Sequence, residues 1–175
     1  MTKEFAFASL PSPVGVIRLV FDEARVVRAL DFADHDARMH RLLTKHYGPV
    51  TLVDAALPST IETPLKAYFD GELGALDDLA TETTGTDFQR LVWQGLRQIP
   101  AGTTWSYGRL AALIGKPKAV RAVGLANGAN PLALVVPCHR VIGANGTLTG
   151  YGGGLERKRW LLAHEGAWSK EGLNL

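Results

Sequence analysis

Pro137-Cys138-His139-Arg140-Val141 sets the only cysteine of a 175-residue chain against a histidine and an arginine. The apolar run 132–136 leads into it and is predicted as a buried strand, and Pro137 withholds a backbone donor where that strand ends. The chain is thus stopped and turned where a thiol is presented. Sulfur attacks as the thiolate, which needs a base or a cationic neighbour, and His139 and Arg140 offer both. A solitary cysteine is more often a small buried hydrophobe, so this pair alone does not establish chemistry.

Upstream, Asn127-Gly128-Ala129-Asn130-Pro131 reads as a turn, in which the Asn130 side chain can bond nearby backbone and hold the cysteine turn in shape. Before it come two short helices. Ser106 caps the first and Gly115 closes it; the second spans 119–127 after Lys116-Pro117-Lys118. This pattern suits a helix-turn-helix, and equally a plain helical hairpin. Ala119, Val120, Ala122, Val123, Gly124 and Ala126 leave few long side chains to read base edges. Such a helix fits either a close groove approach without sequence choice or tight helix packing. Earlier still, Thr86-Asp87-Phe88-Gln89 is a capping box. Phe88, Leu91, Val92, Leu96 and Ile99 follow at helical spacing, and Pro100-Ala101-Gly102 ends this core helix.

Downstream, Ala144-Asn145-Gly146-Thr147 is predicted as a hairpin turn. Residues 149–154, glycine-rich with one aromatic, fit a loop closing over a flat ligand or a simple linker. A last helix is expected over 155–165. Glu165 shares the inward face of Leu161 and Leu162, where desolvation and the helix dipole both oppose its charge. It needs a partner, and a histidine is the natural one. Beyond Ala167 a loose tail is expected.

The front of the chain reads as a small α/β unit. Strands at 14–21 and 26–32 form a hairpin, with a third at 5–7. Helices follow at 36–47, with Met39, Leu42, Leu43 and Tyr47 on one side, and at 60–69. No chemical constellation stands out here, and a packing scaffold is the expected role. The predicted organisation is α+β in two small domains: 1–80, a linker over 81–86, and 87–175 carrying the chemistry.

Hydrophobic residues make up 46% of the chain and charged residues 21%, the balance of an ordinary globular protein. One cysteine excludes an intramolecular disulfide framework and a multi-cysteine zinc site. His35, His40 and His46 lack ligand spacing. No apolar stretch reaches membrane-spanning length and no signal-type core follows Met1, so a cytoplasmic setting is expected. Residues 1–86 hold 8 Lys+Arg against 13 Asp+Glu, net −5; residues 87–175 hold 11 against 4, net +7. A basic back half fits a polyanion partner.

Together these stretches resemble the O6-alkylguanine-DNA alkyltransferases, most of all the bacterial ones. The likeness rests on Gly-Thr-Asp-Phe-Gln at 85–89, Ser-Tyr-Gly at 106–108, Arg-Ala-Val-Gly at 121–124 and Asn-Pro at 130–131. It continues through Pro-Cys-His-Arg-Val at 137–141, Thr-Gly-Tyr at 149–151 and Leu-Leu-Ala-His-Glu-Gly at 161–166. Ser-Pro-Val-Gly at 12–15 and Tyr-Phe-Asp-Gly at 68–71 extend it to the front half.

The resemblance implies a ribonuclease-H-like N-terminal α/β roll with an antiparallel sheet, and a mostly helical C-terminal domain with a helix-turn-helix. It implies direct-reversal DNA repair: a flipped-out nucleotide gives its O6-alkyl group, or less efficiently an O4-alkyl group of thymine, to Cys138, once and irreversibly. His139 would be the base, acting through a water, with Glu165 orienting the imidazole and favouring its protonated form. Asn130 would steady the turn, and Tyr107 would hydrogen-bond the departing guanine. Val141, Tyr151, Gly152 and Lys158 would bind the base. Arg121 would fill the gap it leaves, and Ala119, Ala122 and Ala126 would face the DNA. No cofactor and no metal are expected. The partner is duplex DNA and not a membrane, with the protein a monomer in solution and adjacent copies possible on DNA. Gly152 departs from the serine or alanine common in relatives, which implies a looser pocket wall. The zinc ligands of some animal members and the cysteine-rich segment of adaptive-response members are missing. Two other readings stay open on residues alone: a DNA-binding regulator without catalysis, and a cysteine hydrolase.

Overall fold

The computed structural model describes residues 2–169 and 172–173. The chain divides into two compact units, Met1–Gly85 with Pro131–Val135, and Thr86–Asn130 with Val136–Leu175.

In the first unit β1 (Lys3–Leu10), β2 (Ile17–Phe21) and β3 (Val27–Phe32) form an antiparallel meander. A fourth strand, β4 (Val50–Asp54), pairs parallel to β1, giving the order β3-β2-β1-β4. The sheet is therefore mixed, where a purely antiparallel one was expected. β4 escapes sequence reading because it is short and mostly exposed, so no apolar alternation marks it. α1 (Asp36–Tyr47) carries the chain from β3 to β4, the crossover that strands running the same way require. Its Met39 and Leu43, one turn apart, pack on Phe5, Val20 and Ala29, each burial contributing about 1.5–3 kcal/mol. α2 (Ser59–Phe69) buries Ile61, Leu65 and Tyr68. The strand expected over 14–21 starts only at Ile17, because residues 12–15 form a turn in which Gly15 has φ 103° and donates to the Ser12 carbonyl.

The run 132–136 is not a strand. Leu132 makes one bridge to Leu30, and the chain then coils, with Leu134 at φ 70° and the Val135 amide bonded to the Ala133 carbonyl. An all-apolar run marks burial, not conformation. The Val135 amide is met within a local turn and the Ala133 amide by the Leu30 carbonyl.

The second unit is held by three helices. α3 (Asp87–Leu96) starts from a complete capping box, with the Thr86 hydroxyl accepting from the Gln89 amide at 3.0 Å and the Gln89 side chain accepting from the Thr86 amide at 3.1 Å. α4 (Tyr107–Leu113) is capped by the Ser106 hydroxyl, and α5 (Val120–Gly128) follows. Gly95 lets α3 and α4 close up: a β-carbon there would sit 2.9 Å from Ile114 Cγ2 and 3.0 Å from Leu110 Cδ1. Trp93 Nε1 donates to the Ala126 carbonyl at 2.9 Å and ties α3 to α5.

β5 (Trp105–Ser106) pairs parallel with β6 (Val141–Ile142). The turn after β6 closes as expected, Gly143 donating to Thr147, yet it builds no hairpin because β6 finds its partner in β5. α6 (Leu155–His164) completes the unit. Beyond Ala167, where a loose tail was expected, β7 (Trp168–Ser169) and β8 (Gly172–Leu173) form a minimal antiparallel pair.

Candidate active site

The segment after Pro137 makes one 3-10 turn, Cys138–Arg140, with all three residues buried. Three residues per turn point successive side chains about 120° apart, so Cys138, His139 and Arg140 diverge. Asn130 holds the approach: its Nδ2 donates to the Val136 carbonyl at 2.8 Å, just ahead of the cysteine. Cys138 is 7% exposed and in no disulfide.

Glu165 follows α6 as its C-cap and is 3% exposed, on the inward side with Leu161 and Leu162. Its Oε2 lies 3.0 Å from His139 Nε2. With a carboxylate as partner, Nε2 carries the proton and donates it, and Nδ1 keeps its lone pair. That Nδ1 is buried with no protein hydrogen-bond partner. Arg140 converges on the same acid, donating from Nε to Oε1 and from Nη2 to Oε2, both at 2.9 Å, and from Nη1 to the Ile99 carbonyl at 2.7 Å.

Burial works against the charge on Glu165, but His139 and Arg140 outweigh it and hold the carboxyl well below the usual carboxylate range. For His139 burial dominates and pushes the imidazole below its ordinary value; Glu165 opposes the fall, while Arg140 and Lys158 add to it. Burial thus favours the neutral form of the imidazole. Within that balance Glu165 acts in the direction expected of it, toward the protonated ring, and burial outweighs it.

Lys158 is fully buried on α6, and its Nζ donates to the Val141 carbonyl at 2.7 Å and the Thr149 carbonyl at 3.2 Å. Burial brings its pKa down to about 8, and the neighbouring Cys138 opposes the fall. Tyr107 and Thr149 share a hydroxyl–hydroxyl bond of 3.0 Å. The 149–154 loop is thereby tied at Thr149 from two sides. Tyr151 meets the His139 ring edge-on at 6.5 Å, and Gly152 is exposed beside it.

Cys138, His139, Glu165, Asn130, Tyr107, Val141, Tyr151 and Lys158 thus belong to one neighbourhood linked by these contacts. The residues expected to face DNA divide. On α5, Arg121 and Ala122 are exposed and Ala119 is half-buried, but Ala126 is only 3% exposed. Ala126 lies one turn from Val123 on the inner stripe of the helix, so it cannot face a groove. Leu125, which sequence reading passed over, is 73% exposed and one turn from Arg121. Its i+4 spacing was the available signal. Arg140 was noted only as a cationic neighbour of the thiol. Among the described residues no group of three or more His, Cys, Asp or Glu is placed to hold a metal ion.

Residues 87–167 match the family model of the 6-O-methylguanine DNA methyltransferase DNA-binding domain. The methylated-DNA–protein-cysteine methyltransferase of Salmonella typhimurium is 52% identical, over 90% of this chain and 93% of the relative. That of Shigella flexneri is 48% identical over the same shares. The crystal structure of Mycobacterium tuberculosis OGT in complex with DNA superposes with a TM-score of 0.76 at 44% identity, covering 93% of this chain and 92% of the other.

Proposed function

This chain belongs to the methylated-DNA–protein-cysteine methyltransferase family, and from that premise we propose that it repairs alkylated DNA by direct reversal, taking the alkyl group of O6-alkylguanine onto Cys138. The Cys138 sulfur attacks the alkyl carbon, the carbon–O6 bond breaks, its electron pair stays on guanine, and a thioether forms. His139 Nδ1 is the acceptor for the thiol proton, with a water as carrier, and Glu165 orients the ring through Nε2. The observation that carries this reading is a buried sole cysteine next to a histidine whose far nitrogen is 3.0 Å from a buried carboxylate. A thioether is a stable end product, which makes the protein a single-use reagent.

In this reading α4 and α5 act as a helix-turn-helix whose second helix enters a groove. Lys116 and Lys118, exposed between them, meet phosphates. Arg121 fills the space left by the extruded nucleotide, since a base inside the duplex is out of reach. Ala122 and Leu125 flank it, with Ala119 at the helix start. Tyr107 hydrogen-bonds the guanine ring, the Val141 carbonyl and the Gly152 amide meet its edge, Tyr151 walls the pocket and Lys158 lies near O6. O4-alkylthymine is a poorer substrate. Residues 1–80 serve as a ribonuclease-H-like scaffold, joined through 81–86 to the working region at 87–175. The protein acts as a cytoplasmic monomer; no helix among its described residues is long and apolar enough to cross a membrane.

The test is mass spectrometry after mixing with a duplex containing O6-methylguanine. One methyl on the Cys138 peptide, and none with Cys138→Ser, is the expected result. An unmodified peptide beside an intact lesion rejects the reading.

A further inference from the structure

Glu165 accepts three hydrogen bonds from two buried donors, and two of the three come from Arg140. The guanidinium is itself fixed, because Nη1 reaches the Ile99 carbonyl at 2.7 Å. Ile99 precedes the Pro100-Ala101-Gly102 turn, and Gly102 packs so close that a β-carbon there would sit 2.9 Å from the Glu165 carbonyl oxygen. One turn after α3 therefore holds both Arg140 and the backbone of Glu165. A planar fork of this kind restrains a carboxylate in angle as well as distance.

We propose that Arg140 is a positioning residue for the transfer: by forking onto Glu165 it keeps that acid ionised and shares its charge, so that His139 meets the thiol as an uncharged base. This rests on the alkyl-transfer reading and deepens it. A buried carboxylate beside an imidazole alone would draw a proton onto the ring. An imidazolium cannot accept the thiol proton, so the resting site would hold its base already spent. With the guanidinium on both carboxylate oxygens, the acid's pull on the ring weakens while its hydrogen bond to Nε2 survives. Nδ1 is left with its lone pair. The groups facing His139 fit this balance: Glu165 and Lys158 from α6, Cys138 and Arg140 from its own turn, and the Tyr151 ring from the loop. Among the described residues Glu165 is the one acid acting on the ring, and it is the one Arg140 covers.

The test follows His139 directly. In Cys138→Ser protein, the His139 Cε1 proton is titrated by NMR with and without Arg140→Met. Loss of the fork is expected to move the His139 inflection upward by about one pH unit, with Arg140→Lys falling between because it keeps the charge but not the fork. In otherwise native protein, the acid limb of the single-turnover rate should move upward equally, with duplex affinity unchanged. An inflection that stays put or falls in Arg140→Lys overturns the proposal, as does a rate lowered equally at every pH. If Arg140→Met does not fold, Arg140→Lys decides alone. The NMR titration needs no transfer activity, so absence of alkyl transfer in the native protein would sink the functional reading without touching this result.

Discussion

His139 and Glu165 meet at 3.0 Å with neither side chain exposed to solvent. The contact joins a 3-10 turn to the end of α6, 26 residues later. Glu165 stands where the carbonyl end of a helix repels negative charge. It persists there because a buried guanidinium and an imidazole N–H occupy both its oxygens, and the same bonds fix the ring.

Replacing Glu165 with Gln should slow methyl transfer about 100-fold, since general-base catalysis contributes at least that much. It should also cost about 3 kcal/mol of stability, because Arg140 stays buried opposite an uncharged amide. Single-turnover assays, chemical unfolding and anisotropy with labelled duplex separate these effects. Binding that weakens as much as transfer slows would count against a role in chemistry.

Lys158 makes stability rise with alkaline pH. Its folded pKa is about 8 against an ordinary 10.5, so between those values the unfolded chain binds more protons. Unfolding free energy should therefore climb across that window, by up to about 3 kcal/mol. Urea titrations at several pH values should show the climb, and Lys158→Met should flatten it. In acid the sign is set by His139 and Glu165. The native imidazole lies below its ordinary 6.5, so stability and transfer both decline as pH falls beneath that value. The Glu165 contribution is present above the ordinary carboxylate range and is lost as pH drops through its depressed native value.

Leu125→Ser should weaken duplex binding about tenfold, the scale of one aliphatic side chain losing its cover, and leave the salt dependence intact. Lys118→Ala should instead reduce the slope of log affinity against log salt by about 1. Affinity of the native protein should fall steadily as salt rises. Reaction with free O6-methylguanine base serves as the control, because neither substitution should alter it. A Leu125 effect of equal size on the free base would place that residue's influence in the pocket, not at the DNA.

Gly102 has φ 85°, a conformation side chains resist, and a β-carbon there would press on the Glu165 carbonyl oxygen at 2.9 Å. Gly102→Ala should cost about 2 kcal/mol and slow transfer, since relief requires the Glu165 backbone to move. A melting temperature equal to that of the native protein would refute the packing argument.

Much of the second unit was legible because its signals are local. The capping box at Thr86, the Ser106 cap and the inward placement of Glu165 each follow from spacing within one or two turns. The same logic failed where local pattern is silent. Residues 132–136 are apolar throughout, which promises burial but does not distinguish a strand from a coil. β4 has an exposed face and little periodicity. Ala126 and Leu125 are adjacent on one short helix, and composition alone suggested the small residue for the DNA side, whereas helix packing buried it and left the leucine outside.

The sequence by itself singled out the atoms proposed for the chemistry: one sulfur, an imidazole beside it, and an acid on the inner face of the last helix. Spacing and residue type suffice for that. The charge state of the site was decided only by tertiary structure. Burial and the Arg140 fork act through distances of about 3 Å between residues far apart in the chain, where a low dielectric strengthens them. These distances set the balance between burial, which lowers the His139 pKa, and Glu165, which raises it.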